Sequence, residues 1–171
     1  MKALIITGDL VQDHEFIYPY YRLLEEGFEV YVATMSYNSK GSYGTRIPPD
    51  DNSKNISLLQ LKNLSGIDLL ILPGGAKCME YLRQQQEAID YIANFTGRIG
   101  VICHGTQLLI SAKRTKGLKI SGYYSIKDDI INSGAEYIRD VVEDGNIVSA
   151  PHYKLMGKWM KQILMPFAQQ S

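Results

Sequence analysis

Three stretches put reactive or permissive residues at the ends of apolar runs: Asp9–Glu15, Gly74-Gly75 and Cys103-His104-Gly105. The last carries the sharpest chemistry. A cysteine between a strand and a helix sits at a helix amino terminus. Unpaired N–H groups and the helix dipole there favour the thiolate, which is the nucleophilic form. Gly100 and Gly105 flank it with small residues, as a tight strand-to-helix elbow requires. The same local pattern also suits a buried cysteine acting as a small hydrophobe. His104 follows directly, but adjacent residues on a helix do not face one another, so adjacency alone does not make it a base. Glu15 falls in the first turn of the helix expected after the first strand, where the dipole favours acids, and Asp13, just before it, suits a helix cap.

The elements that must position these residues follow from periodicity. Residues 2–7 read as a buried strand ended by Gly8-Asp9, and 14–26 as a helix with a broad apolar stripe and Gly27 at its stop. Pro19 either bends that helix or marks its start. Residues 28–34 form a second strand, and 36–55 an excursion rich in Ser, Asn, Gly, Pro and Asp with one hairpin. Strands at 67–75 and 98–105 each break into helical sequence, the first into a helix over 79–94. A hairpin around Asp144-Gly145-Asn146 and a helix over 152–168 complete the chain. Continuous apolar strands alternating with helices predict a parallel sheet covered on both faces, a three-layer α/β sandwich. Functional groups in such folds collect at the carboxyl ends of the strands.

Composition bounds what the site can serve. The chain has 171 residues, enough for one domain over 1–171 that needs no disulfide or metal staple. Lys plus Arg and Asp plus Glu balance at 18 each, which gives no support to a nucleic-acid or acidic-membrane partner. No apolar run approaches a membrane span or a signal peptide. With only Cys78 and Cys103, a reducing, cytoplasmic setting is expected. The three histidines are far apart in sequence with no metal-ligand spacing, and no dinucleotide fingerprint is present, so no metal or cofactor is expected.

The segments EFIYPYYRLLEEGFEVYVAT (15–34), LLILPGG (69–75), VICHGTQLLISA (101–112) and SIKDDIINSGAEYI (125–138) together resemble the PfpI/ThiJ family, within the class I glutamine-amidotransferase-like superfamily. The resemblance covers nearly the whole chain and is weakest over about 36–66. It implies a flavodoxin-like, mostly parallel sheet with a nucleophile elbow. By resemblance Cys103 is the nucleophile and Glu15 the acid that approaches its sulfur. His104 takes a catalytic role, oriented by an acid from a neighbouring subunit whose match is Glu80, although one additional residue separates Gly75 from Glu80. The N–H groups of Gly75 and His104 are the expected oxyanion donors. Tyr123 matches a tyrosine near the site, and Tyr124 stands where the family has proline. The carboxyl-terminal run departs from the pattern: Ala150 replaces a pocket arginine, and His152 is either a pocket polar group or a helix-start residue. Cys78 is either a resolving cysteine for oxidised Cys103 or a semi-exposed bystander.

The resemblance implies an intracellular peptidase or a glyoxalase- or deglycase-like hydrolase/lyase acting on a peptide or small-molecule carbonyl, assembled as a homodimer or higher homo-oligomer. A glutamine amidotransferase is disfavoured, because its triad needs an acid two residues after the histidine and Lys154 stands there after His152. The alternative is a redox-responsive or chaperone-like stress protein in which Cys103 is oxidised rather than used for turnover.

Overall fold

The computed structural model describes residues 1–168. Its chain order is β1 (Lys2–Ile6), α1 (Asp13–Glu25), β2 (Glu29–Thr34), β3 (Lys54–Ser57), β4 (Leu69–Leu72), α2 (Ala76–Leu82), α3 (Gln86–Asn94), β5 (Arg98–Ile102), α4 (Thr106–Ser111), β6 (Lys119–Ile120), α5 (Lys127–Asn132), β7 (Glu136–Tyr137), β8 (Val142–Asp144), β9 (Ile147–Ala150) and α6 (Met156–Ala168). Seven strands form the main sheet in the order β3-β2-β1-β4-β5-β9-β8. Every pairing is parallel except β8 with β9. Helices cover both faces in a flavodoxin-like arrangement, as the strand–helix alternation predicts.

The central strands are buried because they have helices above and below. β4 reads LLIL with every residue buried, and Ala3–Ile6 of β1 are wholly inaccessible. The hairpin between β8 and β9 turns at Gly145-Asn146, with Gly145 at φ 59°. Trp159 of α6 is fully buried and donates its indole N–H to the Val148 carbonyl at 3.1 Å, which fixes the helix to β9. A Cβ on Gly100 would stand 2.3 Å from Ile163 Cδ1. Gly100 thus makes room for α6 against β5, a packing role rather than the elbow role its position suggests.

Several elements differ from the sequence expectation. The expected helix over 79–94 is two helices. Gln84 and Gln85 donate to carbonyls three residues back, and Gln85 is extended, so the chain tightens and restarts between α2 and α3. The excursion over 36–55 carries a single bridge, Lys40 with Arg46, and leads into the edge strand β3. That strand reads KNIS, mostly polar and exposed, so it lacks the apolar run that marks its neighbours. Pro19 lies inside α1 rather than at its start, and removes the donor that the Glu15 carbonyl would otherwise meet. No helix among the described residues is long and apolar enough to cross a membrane.

Candidate active site

Parallel order brings the carboxyl ends of β1, β4 and β5 together, and with them the three stretches singled out by residue type. β5 ends at Ile102, earlier than the apolar run suggests, and Cys103–Gly105 form one 3-10 turn before α4. Cys103 has φ 59°, a left-handed conformation that a side-chain-bearing residue adopts only under local constraint. This is a strained elbow, and it changes the relation between neighbours: His104 Nδ1 lies 3.5 Å from Cys103 Sγ. The two side chains meet because the turn is not an α-helix.

Glu15 rises from the first turn of α1 and is fully buried. Its Oε1 accepts the Gly74 N–H at 2.9 Å, while Oε2 has no well-aligned partner. Burial pushes the carboxyl up to about 8, and the Gly74 N–H and the Cys103 thiol only partly offset this. Glu15 is therefore protonated near neutrality and able to donate. The Cys103 thiol is also raised, first by burial and then by the neighbouring carboxylate, whereas the N–H groups of His104 and Gly75 at the sulfur oppose the shift. Burial lowers His104, which stays neutral. A Cβ on Gly74 would stand 2.5 Å from Glu15 Oε1 and 3.0 Å from the His104 nitrogen, so only glycine fits between acid and elbow.

A cavity of about 320 Å³ opens over this group. It is lined by Glu15, Gly75, Cys103, His104, Tyr123 and His152 as expected, and by Gln12, Ser42, Tyr43, Ala76 and Tyr153, which the sequence did not single out. Ser42 and Tyr43 come from the excursion and are held there by Asp13. Asp13 is not the cap of α1; Gln12 is, through its side chain to the Glu15 N–H at 3.1 Å. The Asp13 carboxylate is buried and accepts the backbone N–H groups of Tyr43 at 2.8 Å and Thr45 at 3.1 Å. Burial disfavours its charge, but the hydrogen bonds from Thr45 and Tyr43 outweigh that and hold the carboxyl below the usual range. An Asp thirty residues upstream of a Gly-rich loop carries no sequence signal for this contact.

His152 caps the turn before α6, with Nδ1 accepting the Lys154 N–H at 3.1 Å, and its ring lines the cavity. Two of the three histidines line this cavity, His104 stacked on Tyr123 and His152 tilted against Tyr153, while His14 stacks on Tyr153 and lines a separate, larger cleft. Glu80 lies exposed on α2 and does not line the cavity of its own chain. Cys78 is not semi-exposed but fully buried beside Gly8, its thiol pushed up to about 12 by burial. A larger cleft of about 580 Å³ on the outer side of α1, between Tyr18, Tyr21 and Met156, contains no cysteine.

Fold and site together define a flavodoxin-like α/β protein with a cysteine on a strand-to-helix elbow. The chain belongs to the DJ-1/PfpI family, whose model matches residues 1–165. It is 39% identical over 169 residues to "Deglycase PfpI" of Pyrococcus furiosus, covering 96% of this chain and 98% of that protein. It is 29% identical over 155 residues to "Putative cysteine protease YraA" of Bacillus subtilis, covering 87% and 88%. Among solved structures, a two-domain protein from Anabaena variabilis with DJ-1/ThiJ/PfpI-like and ferritin-like domains superposes with a TM-score of 0.87 at 24% identity. That match covers 98% of this chain and 50% of the other. The names of the relatives support a PfpI-type enzyme.

Proposed function

We propose that the protein is a cysteine-nucleophile hydrolase or lyase acting on carbonyl groups, of the deglycase, glyoxalase or peptidase kind that its relatives' names suggest. The observation that supports this is the convergence of four groups on one sulfur. The Glu15 carboxyl, His104 Nδ1 and the N–H groups of Gly75 and His104 all approach Cys103. Neutral His104 takes the thiol proton as the sulfur adds to the carbonyl carbon. The C–S bond forms, the carbonyl electron pair moves to oxygen, and the N–H groups of Gly75 and His104 hold that oxygen until it is protonated. Glu15, protonated near neutral pH, shuttles a proton between sulfur and substrate. With an α-oxoaldehyde, a proton shift between the two carbons of the hemithioacetal gives a thioester, which one water cleaves to a 2-hydroxy acid. The aldehyde carbon is oxidised and the ketone carbon reduced, so no external oxidant is needed.

In this reading the protein assembles as a homodimer or higher homo-oligomer, and Glu80, exposed on α2, serves a neighbouring copy's His104. Light scattering that gives a monomer at micromolar concentration overturns the assembly.

A second reading, a redox-responsive stress protein, draws on the same surroundings of Cys103, where the Glu15 carboxyl and the N–H groups of Gly75 and His104 would equally hold the oxygens of an oxidised sulfur. Turnover of methylglyoxal, and separately of a fluorogenic peptide, by wild type and Cys103→Ser decides between them. Cys103-dependent turnover of either substrate supports the enzyme. No such turnover, together with selective peroxide oxidation of Cys103, sinks it.

A further inference from the structure

Five aromatic rings, of Tyr43, His104, Tyr123, His152 and Tyr153, line the Cys103 cavity alongside the polar Gln12, Glu15 and Ser42. The His104 and Tyr123 ring centroids are 4.8 Å apart at 29°. Tyr123 is followed by His152 at 6.0 Å, His152 by Tyr153 at 4.1 Å, Tyr153 by His14 at 5.0 Å and 24°, and His14 by Tyr43 at 5.9 Å. The rings come from separate parts of the chain: α1, the excursion, the elbow, the segment after β6 and the turn before α6. Five of these rings border the cavity instead of closing it, Tyr43 from an exposed position and the others half-buried, while His14 backs Tyr153 from the neighbouring cleft, so the arc is not needed to fill the core. Among the described residues no lysine or arginine lines that cavity, and position 150 is a buried alanine. Arg139 lies 4.3 Å from the centre of the Tyr124 ring, and Lys154 is exposed beyond His152.

Flat aromatic faces attract other flat π-systems more than saturated groups of equal bulk. A pocket without a fixed positive charge has nothing to offset the desolvation of a carboxylate. Its volume suits a small molecule and not a long peptide. We propose that the cavity selects uncharged carbonyl substrates with a flat aromatic group next to the reacting carbonyl, and that Tyr153 and His152 set this preference. The proposal rests on the cysteine-nucleophile reading above and adds the substrate class to it.

The test compares kcat/KM for phenylglyoxal, cyclohexylglyoxal, methylglyoxal and 4-carboxyphenylglyoxal in wild type, Tyr153→Phe and Tyr153→Leu. Phenylglyoxal is expected to exceed cyclohexylglyoxal by about tenfold and 4-carboxyphenylglyoxal, which adds a charge to the same ring, by more. Tyr153→Phe keeps the phenyl-to-cyclohexyl ratio, and Tyr153→Leu, which retains bulk without a flat face, lowers it at least about threefold. A wild-type ratio below about threefold, a ratio unmoved by Tyr153→Leu, or 4-carboxyphenylglyoxal equal to phenylglyoxal overturns the proposal. Calorimetric binding of acetophenone and cyclohexyl methyl ketone to Cys103→Ser reads the same wall without chemistry. Preference for acetophenone there, with no Cys103-dependent turnover of any aldehyde, removes the nucleophile reading and leaves the recognition standing. No preference in either assay removes the recognition.

Discussion

The Glu15 carboxyl is tied to the Gly74 amide at 2.9 Å, so an acid on the first helix is held at the mouth of the fourth strand, fully buried and beside the Cys103 thiol. This one hydrogen bond joins two of the three strand ends that make the site. It also leaves a carboxyl where water cannot solvate its charge.

The stability of the protein should record that cost. Glu15 titrates at about 8 in the folded chain against an ordinary value of 4.5. Below the ordinary value both folded and unfolded chains hold the proton, and its contribution is fully present. As pH rises from there through about 8, the unfolded chain releases the proton while the folded chain keeps it, so stability falls. Glu15→Gln keeps an acceptor for Gly74 and removes the titration. Thermal melts from pH 4 to 9 should show the variant near wild type at the acid end and at least about 3 °C more stable at pH 9. A variant less stable than wild type across the whole range contradicts the assignment. Its turnover should meanwhile fall by about a hundredfold or more, as expected when a proton shuttle is lost.

Asp13 offers a loop-positioning test. Asp13→Ala deprives the Tyr43 and Thr45 amides of their acceptor. We expect a loss of about 1–3 kcal/mol in stability. Amide exchange should accelerate at Tyr43 and Thr45, and KM should rise by a larger factor than kcat falls, because Ser42 and Tyr43 line the cavity while Cys103 stays on its elbow. A fall in kcat at constant KM, with unchanged exchange at those amides, would argue that the loop is held by other contacts.

Gly74 tests how closely acid and elbow must approach. An added methyl meets Glu15 Oε1 and the His104 backbone together, and the backbone cannot swing aside as a flexible side chain could. Gly74→Ala should therefore retain the far-UV spectrum of the fold yet lower kcat/KM by at least about tenfold. Wild-type activity in a folded variant would mean that Glu15 does not need its present position.

Much of the fold was legible because its strands are continuous apolar runs ending in glycine or cysteine. β4 and β5 are marked by LLIL and RIGVI, and the hairpin of β8 and β9 by its Asp-Gly-Asn turn. The edge strand β3 was not legible, since a four-residue polar strand at a sheet edge buries too little to leave a pattern. The break between α2 and α3 depends on how three polar residues hydrogen-bond, which periodicity does not encode. At the site, Cys103 and Gly75 announced themselves by residue type and position, and Glu15 became distinctive through family resemblance. The roles of Asp13, Ser42, Tyr43 and Tyr153 arise from contacts between distant segments. The meeting of His104 and His152 at one cavity belongs to the same kind of long-range information.

Gly100 sits two residues before the end of β5, and Ile163 enters the space where its side chain would have been. The nucleophile therefore stands on a strand braced from beneath by the last helix, sixty residues later in the chain than the cysteine itself. A larger or smaller side chain at Ile163 is expected to be felt at the sulfur as a change in height and tilt, from a position that lines no part of the cavity. Tuning of the reaction in this scaffold can come from its foundation as well as from its mouth.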